Sequence, residues 1–160
     1  MIERLTVPGD ERLVRLLAYW DTKRRMRRMP ARSDIDVTEL RYVLGNVLLI
    51  EVTAEQRFRF RLHGTVLADR VGHDLTGRFV EDMPNLDNRA VMLARCRTLV
   101  STKQPYMGAH RRVADRRRYG YEVLWVPLSA DGDTVDMLLG CLIYTDDWWS
   151  AEVLDVRAAG

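Results

Sequence analysis

Three histidines and two cysteines are the side chains of this chain best suited to catalysis or metal binding. His63, His73 and His110 stand outside any recognisable catalytic arrangement of Asp, Ser and Cys, and the GxSxG and HExxH motifs are absent. Cys96 and Cys141 have no second Cys or His at metal-ligand spacing, so we expect two buried thiols and no metal site. The sequence therefore favours a binding or interaction protein over an enzyme.

Basic segments could bind phosphate or nucleic acid. The run KRRMRR occupies residues 23–28, RRVADRRR occupies 111–118, and RFRFRLHG at 57–64 alternates basic residues with Phe and Leu. Acidic residues are scattered among these segments, aromatic interleaving is thin, and the net charge is only +2, so we expect no nucleic-acid partner. We expect the run at 23–28 to end a helix and the basic row of 57–63 to solvate an edge strand, where Arg61 could meet Asp21.

Composition indicates one globular domain in the cytoplasm. The chain is 160 residues long, with 47% hydrophobic and 30% charged residues. Its longest apolar run, Met137 to Tyr144, is far shorter than the ~20 residues of a membrane helix, so no membrane association is expected. The charged N-terminal segment does not resemble a secretory signal.

Hydrophobic periodicity predicts four helices and five strands that could position these side chains. The first helix starts after Asp10, a good N-cap, and carries Leu13, Leu16, Leu17 and Trp20 on one face. The predicted helices span Glu11–Arg27, Thr38–Tyr42, Thr65–Val71 and Leu86–Thr102, and the predicted strands span Asn46–Thr53, Arg57–His63, Tyr106–Val113, Tyr119–Leu128 and Val135–Thr145.

The pattern within the strands predicts their places in an α+β fold. NVLLIEV (46–52) and VDMLLGCLIY (135–144) are almost continuously apolar, which is typical of central strands buried on both faces. The alternating strand at 57–63 fits an edge. Short loops join the last three strands, so the sheet is antiparallel. Residues 65–102 can cover one face, and the N-terminal helix, alone or with a second subunit, can cover the other.

Several stretches in order carry a family resemblance. They are LLAYWDTKRRMRRMPARSDIDVTEL, NVLLIEV, FRFRLHGT, DLTGRFVED and YEVLWVPLS. The chain resembles a PAS domain, and specifically the fifth PAS sub-family of stand-alone bacterial proteins, over about residues 9–147. The resemblance implies a five-stranded antiparallel sheet in the order 2-1-5-4-3 with helices on one face and an amphipathic N-terminal helix. Within it we expect an N-terminal helix and basic segment at 1–30, a PAS core at 31–147 and a C-terminal tail at 148–160.

The resemblance also implies a sensory or protein-interaction module in bacterial signal transduction, with an unknown signalling protein as partner. Such domains can hold a small molecule between the sheet and its helices, and their terminal helices often form dimers. Neither cysteine lies in a flavin-adduct motif of the GXNCRFLQ type, and no histidine has the setting of a haem ligand. Haem and flavin are therefore not expected, and the cofactor is unknown.

Residues expected to face inward form the candidate ligand cavity, and the apolar face of the first helix forms the candidate homodimer interface. The cavity candidates are Tyr42, Phe58, Phe60, Leu62, Met92, Cys96, Tyr121, Val123 and Trp125. The interface candidates are Leu13, Leu16, Leu17 and Trp20. The alternatives are a cone-shaped α+β small-molecule enzyme, with a histidine facing a carboxylate in an open pocket, and a basic nucleic-acid-binding protein.

Overall fold

The structure is a computed structural model that describes residues 3–5, 9–114 and 117–145. Residues 3–5, 113, 114, 117 and 118 are described by their backbone alone. The predicted C-terminal tail at 148–160 lies outside the described residues.

Six strands and three α-helices make up the described part of the chain. The strands are β1 (Glu3–Leu5), β2 (Val47–Val52), β3 (Phe58–His63), β4 (Tyr106–Ala114), β5 (Arg117–Leu128) and β6 (Met137–Tyr144). The helices are α1 (Glu11–Arg24), α2 (Thr65–Val71) and α3 (Leu86–Thr102), and short 3-10 turns lie at Arg32–Asp34, Val37–Leu40, Leu44–Asn46 and Val80–Asp82. The bounds predicted for α2 and α3 are those observed.

The strands form one antiparallel sheet in the order β1-β4-β5-β6-β2-β3. The five predicted strands thus lie in the order 2-1-5-4-3, with the two continuously apolar strands, β6 and β2, paired at the centre. The fold class and the central position of these strands are confirmed. Strand β1 was not predicted, and its three residues pair with the outer edge of β4.

Helix α1 begins as predicted and ends earlier than predicted. The Asp10 side chain accepts a hydrogen bond from the Arg12 amide, which is the expected N-cap. The helix ends at Arg24 rather than Arg27, because Arg25 leaves the helical conformation with φ at +56°. The Arg27 guanidinium donates to the carbonyl of Lys23 at 3.0 Å and satisfies an acceptor that the helix end leaves open.

The basic run at 23–28 is largely paired with acidic side chains. Lys23 contacts Glu39 at 3.0 Å, Arg24 contacts Asp21 at 2.6 Å, and Arg27 contacts Asp34 at 2.7 Å. These pairs join the end of α1 to the turns that follow it, and their exposed positions make each worth little energy. The run therefore ends a helix, as the sequence indicates.

Helix α1 covers the face of the sheet that we call the outer face. Leu13 and Leu16 are 0% exposed and Trp20 is 5% exposed, and the Trp20 indole donates to the Pro127 carbonyl at 2.8 Å. The Glu122 carboxylate of β5 accepts the amides of Gly9 and Asp10, at 3.0 and 2.9 Å, and anchors the start of the helix. In the single chain α1 therefore packs on its own sheet. Residues 32–46 cover the β2 side of the same face.

A bulge in β3 changes which residues of the alternating strand are buried. Ile50 pairs with Phe60 while its neighbour Leu49 pairs with Leu62, so Arg61 is an extra residue. After the bulge the side chains change faces. Leu62 joins Leu49 on the outer face, and His63 joins Phe60, with ring centroids 5.9 Å apart. The expectations that Leu62 shares a face with Phe58 and Phe60, and that His63 solvates the rim, are therefore wrong.

The outer edge of β3 is covered by the chain itself. The Phe60 amide donates to the Arg78 carbonyl at 2.9 Å, and the Gly77 amide donates to the Phe60 carbonyl at 2.7 Å. The arginines of β3 lie at the surface, where Arg59 donates to Glu51 at 2.9 and 2.7 Å. Arg61 also lies 3.7 Å from Glu51, while Asp21 pairs with Arg24 instead. The strand is protected by the bulge and the covering segment as well as by charge.

The opposite face, which we call the inner face, is covered by α2 and α3 and packed tightly at its centre. An added Cβ at Gly140 would lie 2.5 Å from the Trp125 ring, so the indole lies directly against this glycine. Trp125, Phe60 and Leu138 are buried there. The space between the sheet centre and the helices is thus filled by the chain's own side chains.

We predict that Gly140→Ala lowers the free energy of unfolding by about 1–3 kcal/mol, because Trp125 has no room to move within a packed core. Urea unfolding measures the change. Gly9→Ala is the matched control, since an added Cβ there meets nothing within 4 Å. Equal midpoints for both variants would contradict the close packing of Trp125 on Gly140.

We also predict that His63 makes the protein less stable in acid. Its Nδ1 accepts the Leu75 amide at 3.1 Å, which requires an unprotonated nitrogen. Burial lowers the pKa of His63 below its ordinary value of 6.5, and Asp74 opposes this shift. The unfolded chain therefore binds a proton at a higher pH than the folded chain does, and stability falls as the pH drops below about 6.5.

Urea midpoints at about pH 7.5 and about pH 5 test this linkage. His63→Asn should lose less stability than the wild type between these two values. His73→Asn, at an exposed histidine of the same loop, should keep the wild-type loss. The same pH dependence in all three proteins would assign the acid sensitivity to other groups.

Candidate functional site

Polar and aromatic side chains cluster at one end of the inner face, where β4, β5 and β6 meet α3 and α2. The members on the strands are aromatic or basic side chains on the inner face. The members on the helices are polar or basic side chains that contact them. This inner-face cluster consists of Tyr106, His110 and Arg112 on β4, Tyr119 and Tyr121 on β5, Tyr144 on β6, Asn88 and Arg95 on α3, and Arg70 on α2.

Strand periodicity brings the β4 and β5 members together. In the β4–β5 ladder His110 pairs with Tyr121 and Arg112 pairs with Tyr119, while Tyr144 of β6 pairs with Tyr121. Residues directly opposite in a ladder point to the same face. The ring centroids of His110 and Tyr121 are 5.3 Å apart, and those of Tyr119 and Tyr144 are 5.9 Å apart.

One hydrogen bond and one cation–π contact organise the side of the cluster near Tyr106. The Tyr106 hydroxyl and His110 Nε2 share a hydrogen bond of 2.7 Å, and the two rings are nearly parallel. The Arg95 guanidinium of α3 lies 3.3 Å from the centroid of the Tyr106 ring. The face of the ring attracts the positive charge, and this contact holds α3 against β4.

The helices make two further contacts at the other side of the cluster. The Tyr119 hydroxyl donates to Asn88 Oδ1 at 3.2 Å. The Arg70 guanidinium of α2 lies 4.2 Å from the centroid of the Tyr144 ring. Side chains of both helices thus reach the cluster, which is open at its rim, since Arg70 is exposed and Arg95, Tyr106, Tyr119 and Tyr144 are only partly buried.

Two members of the cluster are largely buried, with Arg112 7% exposed and Tyr121 8% exposed. Neither the Arg112 guanidinium nor the Tyr121 hydroxyl is among the buried polar atoms that lack a hydrogen-bond partner. Burial raises the pKa of Tyr121 to about 12, although nearby Arg112 acts in the opposite direction. The Tyr121 hydroxyl is therefore neutral at physiological pH and able to donate a hydrogen bond.

The predicted cavity residues divide between the two faces. Phe58, Phe60, Tyr121, Val123 and Trp125 are buried on the inner face, as predicted, and Met92 and Cys96 lie on α3, which packs there. Tyr42 and Leu62 lie on the outer side instead. Tyr42 is covered by Arg15 of α1, whose guanidinium is 3.9 Å from its ring, and Leu62 packs near Leu128 and Leu139. Of the predicted residues only Tyr121 belongs to the inner-face cluster.

An open cleft of about 520 Å³ lies on the outer side, between α1 and the turns after it. Its lining residues are Arg15, Tyr19, Thr38, Glu39, Arg41 and Tyr42. Tyr19 donates to Glu39 at 2.6 Å and accepts the Asp36 amide at 2.9 Å, so its hydroxyl is committed to holding α1 to these turns. The cleft is a surface groove beside α1, separate from the inner-face cluster.

The predicted dimer-interface residues are mostly used within the chain. Leu13, Leu16 and Trp20 are buried against the outer face, and Leu17 alone of the four stays partly exposed. A dimer built on the buried three would require α1 to leave its own sheet. Their part in an interface remains a prediction.

The histidines and cysteines do not form a recognisable catalytic or metal site in the described chain. His63 Nδ1 lies 3.7 Å from Asp74 Oδ1 but accepts the Leu75 amide, and Asp74 accepts from Thr76. Burial raises the pKa of both Cys96 and Cys141 to about 12, so these thiols stay protonated, as expected of buried thiols. The described residues contain no group of three or more potential metal ligands.

Sequence reasoning missed most of the inner-face cluster. Tyr106, His110 and Arg112 are an even number of residues apart, which places them on one face of β4. The antiparallel pairing with β5 then sets them opposite Tyr121 and its neighbours. A charged residue at an inward position of an interior strand could have drawn attention to Arg112.

Comparison with known proteins supports the resemblance. The family described as PAS domain matches residues 10–143, through the fifth of its sub-family models. No curated protein matches the chain. Among the described residues, no helix is both long enough and apolar enough to cross a membrane.

Solved structures similar to this chain share the fold at low sequence identity. The PAS domain of Bordetella pertussis BvgS is 14% identical, with a TM-score of 0.54 and coverage of 78% of this chain and 98% of that one. A Vibrio cholera VqmA–ligand–DNA complex is 12% identical, with a TM-score of 0.52 and coverage of 79% and 59%. The Rhodobacter sphaeroides LOV protein is 13% identical, with a TM-score of 0.48 and coverage of 78% and 77%. The family match and the sheet order agree, and the chain belongs to the PAS domain family.

Proposed function

We propose that this chain is a sensory module that binds a small molecule at the inner-face cluster and transmits its binding state to a signalling protein in the bacterial cytoplasm. The observation that carries the proposal is the cluster itself. Four tyrosines, a histidine and three arginines meet between the sheet and its helices, where a core would ordinarily be apolar. The PAS fold supports a sensory or interaction role.

The chemistry of the cluster suits a binding site better than a structural core. Small-molecule sites are mostly apolar and aromatic, with a few polar groups that fix the orientation of the ligand. Tyrosine combines both features, because its ring packs against a ligand while its hydroxyl donates or accepts.

The packing of the rest of the inner face supports a ligand at the β4–β5 end. Trp125 lies on Gly140 and fills the centre of the face, next to Phe60. Tyr106 and Tyr119 at the cluster are only partly buried. A ligand that enters between α3 and the sheet would therefore meet the cluster before the packed centre.

We predict that Gly108→Ala removes the bound molecule with little effect on the fold. An added Cβ at Gly108 would lie 2.6 Å from the Tyr106 hydroxyl and 2.9 Å from His110 Nε2. His110 is buried and has little room, whereas the Tyr106 side chain is only partly buried, so the substitution displaces Tyr106 and breaks the hydrogen bond between them. Native mass spectrometry of gently purified wild-type protein should show a small-molecule adduct. The spectrum of the variant should show most or all of that adduct missing.

Gly9→Ala serves as the matched control, because its added methyl group meets nothing within 4 Å. It should retain the adduct of the wild type. A wild-type protein without any adduct would overturn the proposed ligand binding. An adduct that persists in Gly108→Ala would overturn its location at the inner-face cluster.

We further infer that the module acts as a homodimer through the outward side of α1. Val14 of α1 is 54% exposed, and Leu17, one turn along, is partly exposed while it also packs against the core. Val14 and the exposed part of Leu17 replace the buried face of α1 as the surface that a second copy would cover.

We predict that Val14→Glu converts a dimer into a monomer in analytical ultracentrifugation, because the new carboxylate would be buried in the interface. Val66→Glu, at a valine of α2 with similar exposure, should leave the sedimentation unchanged. A wild-type protein that sediments as a monomer would rule out the homodimer.

A further inference from the structure

We propose that the open cleft beside α1 binds an acidic segment of the signalling partner, whose carboxylates pair with Arg15 and Arg41. This inference rests on the proposed function, because it names the kind of partner and the surface to which that partner binds. The cleft has a volume of about 520 Å³. One wall is formed by Arg15 and Tyr19 of α1, and the other by Thr38, Glu39, Arg41 and Tyr42 of the turns that follow.

The acidic side chains at the cleft are already bound within the chain. Glu39 accepts a hydrogen bond from Tyr19 at 2.6 Å and pairs with Lys23 at 3.0 Å. Asp36, beside the cleft, accepts the amide and the hydroxyl of Thr38, at 2.9 and 2.7 Å. These bonds lower the pKa of both carboxyl groups, so both are ionised at neutral pH and engaged by donors of their own chain.

The two arginines of the cleft present positive charge to solvent. Arg15 and Arg41 are exposed, and neither forms an ion pair with a residue that the structure describes. The Arg15 guanidinium lies 3.9 Å from the centroid of the Tyr42 ring, and this contact holds it at the cleft. An arginine that stacks on a ring keeps the N–H groups at its edge available for a carboxylate.

The charge around the cleft is complementary to an acidic partner. Residues 10–42, which form both walls, carry nine lysines and arginines against six aspartates and glutamates. This part of the chain therefore has a net charge of +3, whereas the whole chain has +2. Opposite charges across an interface steer the partner toward the surface and fix how it docks.

A nucleic acid fits the cleft less well than an acidic peptide does. Single strands bind along a row of phosphate contacts and through bases that stack on aromatic faces. Both tyrosine rings of the cleft already have a cation over them, with Arg15 over Tyr42 and Lys23 Nζ 5.1 Å from the centroid of the Tyr19 ring. The cleft thus offers charge to carboxylates and little aromatic surface to bases.

The cleft and the proposed dimer surface lie on opposite flanks of α1. Successive residues of a helix are about 100° apart, so Arg15 and Tyr19 lie on one side of the buried face of α1, and Val14 and Leu17 lie on the other. A dimer can therefore leave the cleft open to a partner. Because its walls belong to different elements, the cleft keeps its shape only while α1 stays on the sheet.

Fluorescence anisotropy of labelled peptides tests the proposal. The probe is the peptide Gly-Glu-Glu-Leu-Glu-Glu-Gly, and the matched peptide carries the same label with Gln in place of every Glu. At low, constant ionic strength the Glu peptide should bind the full-length wild type and the Gln peptide should not. The proposal fails if neither peptide binds or if both bind alike.

Variants of matched charge locate the binding. Arg15→Gln/Arg41→Gln should weaken binding of the Glu peptide by about tenfold or more, because two ion pairs in the cleft are lost. Arg25→Gln/Arg28→Gln removes the same charge from two exposed arginines outside the cleft and should weaken binding by less than about threefold. Equal weakening by both pairs would overturn the proposal, since any basic surface would then explain the binding.

The effect of charge is separated from an effect on the fold by a second variant. Arg15→Lys/Arg41→Lys keeps both charges and should bind the Glu peptide more tightly than the Gln pair does, at a melting temperature close to that of the Gln pair. No such recovery would overturn the pairing with carboxylates. A single-stranded oligonucleotide of random sequence that binds more tightly than the Glu peptide, and depends on Arg15 and Arg41, would replace the acidic protein with a nucleic acid.

These outcomes are separable from those of the proposed function. A native adduct that Gly108→Ala removes, in a protein that does not bind the Glu peptide, would leave small-molecule binding intact and reject only this docking surface. Binding of the Glu peptide that depends on Arg15 and Arg41, in a protein that carries no native adduct, would support the docking surface and reject the retained ligand.

Discussion

The burial of the central strands on both faces is the constraint on which the rest of the structure depends. β6 and β2 are apolar on nearly every residue, and Leu138, Leu139, Cys141 and Ile50 are fully or almost fully buried. Burying a large apolar side chain stabilises the fold by roughly 1.5–3 kcal/mol, and this requires cover on the face to which that side chain points. Because these strands have apolar side chains on both faces, both faces need a covering layer. Helix α3 covers one side and α1 covers the other, so α1 belongs to the fold itself. The resemblance suggests a signalling role for terminal helices, and in this chain the N-terminal helix is also one of the two layers that cover the sheet.

The two faces of the sheet meet this constraint differently. The outer face is apolar at its centre, and its polar groups, such as Glu122, hold the ends of covering elements. The inner face is closed at its centre by Trp125 on Gly140 and becomes polar toward β4. The inner face thus combines a packed apolar centre with an aromatic and polar end. Small-molecule sites have this composition, because aromatic surface binds the body of a ligand and a few polar groups fix its orientation.

The sequence predicted elements and their order better than it predicted which side chains meet. Continuous apolar runs located β6 and β2, and the bounds of α2 and α3 followed from capping and breaker residues. The bulge at Arg61 could not be predicted, because strict alternation placed Leu62 beside Phe60 and gave no sign of an extra residue. The pairing of β1 was missed because a three-residue edge strand carries too little pattern. Of the inner-face cluster only Tyr121 was identified from the sequence, whereas His110 and Arg112 required the pairing of β4 with β5.

One strand connects the inner-face cluster to the start of α1. Tyr121 and Glu122 are consecutive residues of β5, and they point to opposite faces. Tyr121 lies in the cluster, while the Glu122 carboxylate accepts the amides of Gly9 and Asp10 at the beginning of the helix. A change that shifts β5 at Tyr121 therefore also shifts the acceptor that anchors α1. Such a coupling would need no path through the core, because Tyr121 and Glu122 are neighbours in the chain and a single peptide unit separates them.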